Sequence, residues 1–197
     1  QIFGERARFK PGRLFQMAKS KAYLHRGVEI RWRCAPSLIP DNSPVPAEIT
    51  LHYPNGLADQ LAELMSGRTL VTLEPFVGRA EAPDGIGAVE WAICWSANGF
   101  GEADGFVRSY CNTIPTPDGG THELGLRSAL SRAVKSYADL AGVKKASILT
   151  PDDIVSTSGA LLSVFIREPE FQGQTKERLS SQEGFKVVES AIRDRFE

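Results

Sequence analysis

A long amphipathic segment in the second half of the chain constrains the fold most. Apolar side chains recur there at alternating steps of four and three residues, which is the spacing of one face of an α-helix. We therefore predict a helix over residues 122–141 whose apolar stripe must be covered by another layer of the protein. The predicted stripe consists of Leu126, Leu130, Ala133, Tyr137 and Leu140.

The stretches around this helix have the character of strands. Residues 28–34 alternate apolar and charged side chains, and residues 86–95 place β-branched or aromatic side chains at every second position from Val89 to Trp95. Asp84-Gly85 between two such stretches predicts a hairpin turn. The predicted strands are 28–34, 48–53, 69–82, 86–95, 106–114 and 160–166, and further helices are predicted at 13–24, after the turn at 54–56, and near the C-terminus. This irregular mixture indicates an α+β fold with helices on one face of a sheet, in one or one and a half domains.

The charge balance and the cysteine count exclude several classes of protein. With 23 basic and 24 acidic side chains, the chain does not resemble a protein that coats nucleic acid over its whole surface. Its three cysteines are odd in number and widely spaced, which favours reduced core thiols and a cytoplasmic location over a disulfide framework. No apolar run is long enough to span a membrane. Because the chain begins at Gln1 rather than Met, we expect it to be a fragment of something longer.

The loop at 168–179 is the best candidate for ligand binding. It presents Gln174, Thr175 and Lys176 directly after Gly173, so an amide, a hydroxyl and an ammonium group could donate to one anion. Lysine suits a phosphate as a point charge. The alternative is an ordinary solvated loop, and the side chains alone leave both interpretations open.

The entry to the long helix offers a second set of candidates. Paired glycines at 119–120 permit a tight turn, and Thr121 is placed to cap the helix. His122 and Glu123 are not expected to act as a catalytic pair or as metal ligands, because adjacent helical residues point about 100° apart. No nucleophile with a base, no phosphate-binding glycine loop and no metal pair is recognisable, so we predict no catalytic and no metal-binding residue in this chain.

Three cations on the outer side of the helix could face nucleic acid. Arg127, Arg132 and Lys135 are candidates for contacts with DNA phosphates. A solvated helix face would have the same pattern, and that alternative stays open here.

Three motifs in order and spacing resemble the ATPase subunit of bacterial type IIA DNA topoisomerases. They are Gly-Gly-Thr-His-Glu at 119–123, Leu-Gly-Leu-Arg-Ser-Ala-Leu-Ser-Arg at 124–132, and Glu-Pro-Glu-Phe-Gln-Gly-Gln-Thr-Lys at 168–176. The resemblance extends to Ile2-Phe3-Gly4 and to residues 22–30, and residues 20–23 and 163–168 favour the topoisomerase IV member of the family over the gyrase member. It assigns residues 1–197 to the second, transducer domain of the ATPase subunit, with a leading helix within 1–25 and the start of a long C-terminal helix at 182–197.

The resemblance implies a fold and two sets of site residues. The fold is a two-layer α/β sandwich with a left-handed βαβ crossover, as in domain 2 of the fifth ribosomal small-subunit protein. Gln174 and Lys176 match residues that contact the γ-phosphate of ATP bound in a neighbouring domain, and Arg127 matches an arginine that lines a DNA-holding cavity between two protomers. The chain departs from many relatives at 155–157, where Val-Ser-Thr replaces Arg-Glu-Gly, so the role of that arginine is not transferred.

The function implied by the resemblance is ATP-dependent DNA topology control. The domain would relay ATP binding and hydrolysis to the capture and passage of a DNA duplex, in decatenation and relaxation during chromosome segregation. The alternatives are the same domain of the gyrase B subunit, which supercoils DNA, and a stand-alone nucleic-acid-binding module. ATP and Mg would be held by the intact subunit, and the isolated fragment would be inactive. The implied partners are double-stranded DNA, a second copy of the B subunit, and the topoisomerase A subunit.

Overall fold

The computed structural model describes residues 8–82, 85, 87–97 and 105–196. The chain divides into two compact units, Gln1–Gln60 and Leu61–Glu197. The segment Ile2-Phe3-Gly4 and the predicted turn residue Asp84 lie outside the described residues. The assignment of residues 1–197 to one transducer domain stays a prediction.

The first unit is a helix packed on a two-stranded sheet. Helix α1 spans Pro11–Leu24, and strands β1 (Glu29–Arg33) and β2 (Glu48–His52) are antiparallel. Every second residue of β1 is exposed, as the alternation of apolar and charged residues predicts. Helix α2, Leu57–Leu64, follows the turn at 54–56, and the first unit ends within it, at Gln60. The core of this unit consists of Phe15, Ala22, Val45 and Leu51.

The second unit is built on a mixed five-stranded sheet in the order β3-β4-β7-β5-β6. The strands are β3 (Phe76–Glu81), β4 (Gly87–Trp95), β5 (Phe106–Cys111), β6 (Ile114–Pro115) and β7 (Ser158–Ile166). β7 is antiparallel to β4 and parallel to β5. The parallel pair requires a crossover connection, and that connection runs through the long helix between them. The left hand of the crossover stays a prediction.

Two helices cover one face of this sheet. α3 (Thr121–Leu140) and α5 (Gln182–Phe196) pack against each other, and a short helix, α4 (Pro151–Val155), precedes β7. Val89, Trp91 and Ile93 of β4 form a core cluster with Leu126 and Leu130 of α3. This arrangement confirms the predicted mixed fold of sheet and helices.

The apolar stripe of α3 is only partly buried. Leu126, Leu130 and Ala133 are in the core, but Tyr137 is 72% and Leu140 is 87% exposed. The prediction that these two residues face the core was wrong. The apolar spacing continues over the last two turns of the helix, beyond the part that joins the core cluster.

Two predicted strands are shorter than expected. Residues 69–75 hold only one isolated bridge, between Leu70 and Ser96, so the strand begins at Phe76. The predicted strand 106–114 breaks at Asn112 and Thr113, which have positive φ angles of 49° and 64°. The Asn112 side chain donates to the Ile166 carbonyl at 2.9 Å and accepts from its amide at 3.0 Å, replacing a ladder pair.

The predicted hairpin between β3 and β4 is confirmed by their antiparallel pairing. Glu81 lies opposite Ala88, and Gly85 adopts a positive φ of 65° between them. Glycine adopts this backbone conformation without steric penalty.

Candidate functional site: an exposed hairpin on a polar platform

The candidate anion-binding loop is a short hairpin with an exposed tip. Strands β8 (Phe171–Gln172) and β9 (Arg178–Leu179) pair antiparallel and are joined by residues 173–177. Gln174, Thr175 and Lys176 are exposed at the tip. Strands of two residues leave no periodic pattern, and for that reason the sequence predicted only a loop at 168–179.

Lys176 is held in an unusual backbone conformation. Its φ of 58° lies in the left-handed region, which non-glycine residues adopt rarely and often at functional positions. Its Nζ lies 5.8 Å from the centroid of the Phe171 ring, and Thr175 donates to the Glu177 carboxylate at 3.0 Å. Within the described part of the chain Lys176 has no carboxylate partner, so its charge is open to an external anion.

The base of the hairpin is bonded to the segment before α3. The Asp118 amide donates to the Glu177 carbonyl at 3.0 Å, and the Leu179 amide donates to the Gly119 carbonyl at 3.0 Å. The Arg178 guanidinium adds a bond to the Asp118 carbonyl at 2.9 Å. We call residues 116–123 the platform, because the hairpin base rests on it.

Both glycines of the platform have positive φ angles, and Gly120 also packs against backbone. Gly120 has φ 138°, and a Cβ on it would come within 2.6 Å of the Leu179 amide nitrogen. Gly119 has φ 66°, and a Cβ on it would come within 2.7 Å of Glu123 Oε2. The paired glycines therefore let β9 and a carboxylate approach the backbone closely.

Thr121 does not cap α3, and that prediction was wrong. Gly120 is the N-cap residue and no side chain caps the helix. The Thr121 hydroxyl instead donates to the Ser181 carbonyl at 2.6 Å, which ties the helix start to the chain after the hairpin.

A buried polar chain runs through the platform. Ser109 Oγ donates to Glu123 Oε1 at 2.6 Å and lies 2.7 Å from Thr116 Oγ1, which lies 3.0 Å from His122 Nε2. His122 and Glu123 are thus connected through two hydroxyl groups rather than directly. This connection was not predicted, because Ser109 lies on β5, far from the helix in sequence.

Burial keeps the His122 ring neutral. The side chain is fully buried, which lowers its pKa to about 4. Nδ1 has no hydrogen-bond partner among the described residues. The tautomer with the proton on Nε2 fits best, because each group then donates to the next and the chain ends at the Glu123 carboxylate.

The surroundings of Glu123 shift its pKa in both directions. Burial raises the pKa of its carboxyl, while the Ser109 hydrogen bond and the charges of Arg127 and Arg178 lower it. Arg178 belongs to the hairpin and Arg127 belongs to α3. One carboxylate therefore attracts a cation from each element.

The three candidate DNA-facing cations do not form one patch. Arg127 pairs with Asp152 of α4, and Arg132 pairs with Glu189 of α5 at 2.8 Å. At about 100° per residue, Arg127 and Arg132 point about 140° apart around the helix. Lys135 is half-buried and forms no ion pair with the described residues. Arg132 thus links two helices of the core.

Metal ligands do not cluster in the described part of the chain. Within those ranges no group of three His, Cys, Asp or Glu side chains could hold a metal ion. No helix of the same ranges is long and apolar enough to cross a membrane.

Cys94 and Cys111 are buried, as expected of core thiols, and burial raises the pKa of Cys111 to about 12. Cys34 is half-buried.

Comparison with known proteins agrees with the resemblance. A family model described as DNA gyrase B matches residues 56–197, beginning near the start of the second unit. The B subunit of DNA topoisomerase 4 from Caulobacter vibrioides is 58% identical over 197 residues, which are 100% of this chain and 28% of that protein. The chain therefore spans less than a third of that relative.

Solved structures give the same picture. The topoisomerase IV ATP-binding domain of Francisella tularensis, in complex with a small-molecule inhibitor, matches with a TM-score of 0.76 at 25% identity, covering 98% of this chain and 48% of that one. The 43K ATPase domain of Thermus thermophilus gyrase B, in complex with an aminocoumarin, matches with a TM-score of 0.73 at 27% identity, covering 97% and 48%.

Proposed function

Because the chain belongs to the DNA gyrase B family, we propose that it is the transducer region of an ATP-dependent type II DNA topoisomerase B subunit. It relays ATP binding and hydrolysis in an adjacent ATPase domain to the capture and passage of a DNA duplex. The second unit, Leu61–Glu197, is the part that coincides with the family model. The relay is therefore assigned to that unit in particular.

The exposed tip of the hairpin carries this proposal. Gln174 and Lys176 stand at the end of a narrow structure whose base is fixed, and the ammonium group has no carboxylate partner in the described part of the chain. An amide and an ammonium suit the γ-phosphate of ATP as donors. We expect ATP and Mg to be held by the ATPase domain of the intact subunit.

The energy of this contact is sufficient for a switch. A charge-assisted hydrogen bond contributes about 1.5–3 kcal/mol, which shifts a two-state equilibrium by roughly one to two factors of ten. When hydrolysis removes the γ-phosphate, the contact is lost and the transducer can move relative to the nucleotide. Of the three candidates for facing DNA, Lys135 forms no ion pair with the described residues, whereas Arg127 and Arg132 would have to exchange their carboxylate partners for phosphate. A second B subunit and the topoisomerase A subunit would complete the enzyme.

Lys176→Ala in the full-length B subunit, assembled into the complete topoisomerase, tests the proposal. ATP hydrolysis and strand passage should both fall by about ten-fold or more, because the variant removes the charged donor to phosphate. Lys145→Ala is the matched control, since Lys145 is also an exposed lysine but lies far from the hairpin in sequence. Near-normal ATP hydrolysis by the Lys176 variant would refute the assignment.

The DNA products of the assembled enzyme distinguish topoisomerase IV from gyrase. The relative at 58% identity is the B subunit of a DNA topoisomerase 4, which supports decatenation and relaxation as the activities of this protein. The assembled enzyme should separate linked DNA circles and should not introduce negative supercoils. A supercoiled product would assign the chain to gyrase instead.

The stand-alone nucleic-acid-binding module is the weaker alternative. Two of the three candidate cations are already in ion pairs, with Asp152 and Glu189. Duplex binding driven by phosphate contacts would require those charges to be available.

A further inference from the structure

We propose that Glu123 is a positioning residue for the hairpin that carries Gln174 and Lys176. Its carboxylate fixes the platform on which the hairpin base rests, and so sets where Lys176 meets the phosphate. This inference rests on the proposed function, because it concerns the same phosphate contact.

Glu123 reaches the hairpin through one intermediate residue, Gly119. Oε1 accepts from Ser109 of β5 at 2.6 Å, which anchors the carboxylate to the central sheet. The same carboxylate fills the space beside Gly119, where a Cβ would come within 2.7 Å of Oε2. The carbonyl of Gly119 in turn accepts the amide of Leu179 in β9. The carboxylate therefore packs beside the residue whose carbonyl holds the hairpin base.

A second route from Glu123 to the hairpin is electrostatic. Arg178 of β9 donates to the Asp118 carbonyl, and its charge also favours the ionised form of Glu123. In a partly buried site this attraction is screened less than at the open surface. The charge of Glu123 thus acts on Arg178, which lies on the strand that leads back from Lys176.

Removal of the charge alone separates this role from simple packing. Glu123→Gln keeps the side-chain length and an oxygen that can accept from Ser109, but it loses the attraction to Arg178. The hairpin base then has fewer constraints, while the core beneath α3 is unchanged. We expect kcat/KM for ATP hydrolysis by the full-length subunit to fall about three- to thirty-fold.

A double-mutant cycle with Lys176→Ala is the decisive measurement. If Glu123 acts by placing Lys176, then Glu123→Gln should have little further effect once Lys176 is alanine. Asp152→Asn is the control for the other cation, because Asp152 lies on α4 and pairs with Arg127. That control should lower kcat/KM by less than about two-fold.

The outcomes separate this inference from the function on which it rests. Near-normal hydrolysis by Lys176→Ala overturns the proposed function and this inference with it. A defective Lys176 variant with a normal Glu123 variant, or with fully additive effects, overturns only the role of Glu123. Equal defects in the Glu123 and Asp152 variants would assign the effect to Arg127 and also overturn it. Should Glu123→Gln unfold, Ser109→Ala, which removes the hydroxyl that anchors the Glu123 carboxylate, replaces it in the same cycle, with the same non-additivity expected.

Discussion

Acidification should destabilise the second unit through His122. The ring is buried and neutral with a folded-state pKa of about 4, against 6.5 for the exposed group. Between these values the unfolded chain binds a proton that the folded chain does not, so the stabilisation is complete above pH 6.5 and is lost as the pH falls towards 4. The full difference is about 3 kcal/mol, of which about 2 kcal/mol is lost between about pH 7.5 and about pH 5.

Urea unfolding at the two pH values measures this loss. A Trp32→Phe background leaves Trp91 and Trp95 as fluorescence reporters of the second unit. His122→Gln should remove most of the pH dependence while keeping an amide that can donate to Thr116. His25→Gln, at an exposed histidine of the first unit, should leave it unchanged.

The Glu123 carboxyl affects the pH dependence of stability in the opposite direction. Burial raises the pKa of Glu123, so its protonation favours the folded state at the acid end of the range. Because this contribution is present in both chains, the difference between the parent and His122→Gln isolates the histidine. Equal slopes for the two chains between about pH 7.5 and about pH 5 would refute the burial argument for His122.

Three further predictions concern packing and chemistry. Leu130→Ala should lower the free energy of unfolding by about 2–5 kcal/mol and Leu140→Ala by less than about 0.5 kcal/mol, measured in urea, since only Leu130 is buried. Gly120→Ala should destabilise by about 3 kcal/mol or more, and Gly173→Ala by about 1–2 kcal/mol, because both have positive φ but only Gly120 packs against backbone; equal values would contradict this. Cys111 should resist maleimide in the folded chain and react in urea, as followed by mass spectrometry.

Local patterns predicted most of the elements but not their limits. The spacing of apolar residues places α3 correctly, because helical periodicity depends on neighbours three and four residues away. The same spacing says nothing about where the covering layer stops, and so it extended the buried stripe to Tyr137 and Leu140. The break at Asn112 was missed for a similar reason. The Asn112 side chain replaces ladder bonds there, and its partner is the backbone of Ile166 on another strand.

In the site, too, the sequence predicted the features that depend on neighbouring residues and missed those that depend on distant ones. Gln174 and Lys176 were predicted because the donors are adjacent in sequence, and their contact with ATP stays a prediction. The partner of Glu123 on β5 was not predicted, because Ser109 is an ordinary strand residue without a pattern of its own. A polar residue of inward parity in an apolar strand was the available signal, since such residues are usually hydrogen-bonded when buried.

The platform and the hairpin are separated by about fifty residues in the sequence but pack together in the structure. β9 packs against the backbone of Gly120, the Glu123 carboxylate lies beside Gly119, and Thr121 bonds to the chain after the hairpin. The tip beyond this base is exposed, and Lys176 has a backbone conformation that is rare for a residue other than glycine. The proposed contact with ATP, which would form on nucleotide binding and break after hydrolysis, fits this combination. Under the proposed function, a fixed base would limit the entropy lost when the phosphate binds, and an exposed tip would leave the phosphate as the partner whose loss changes the state of the domain.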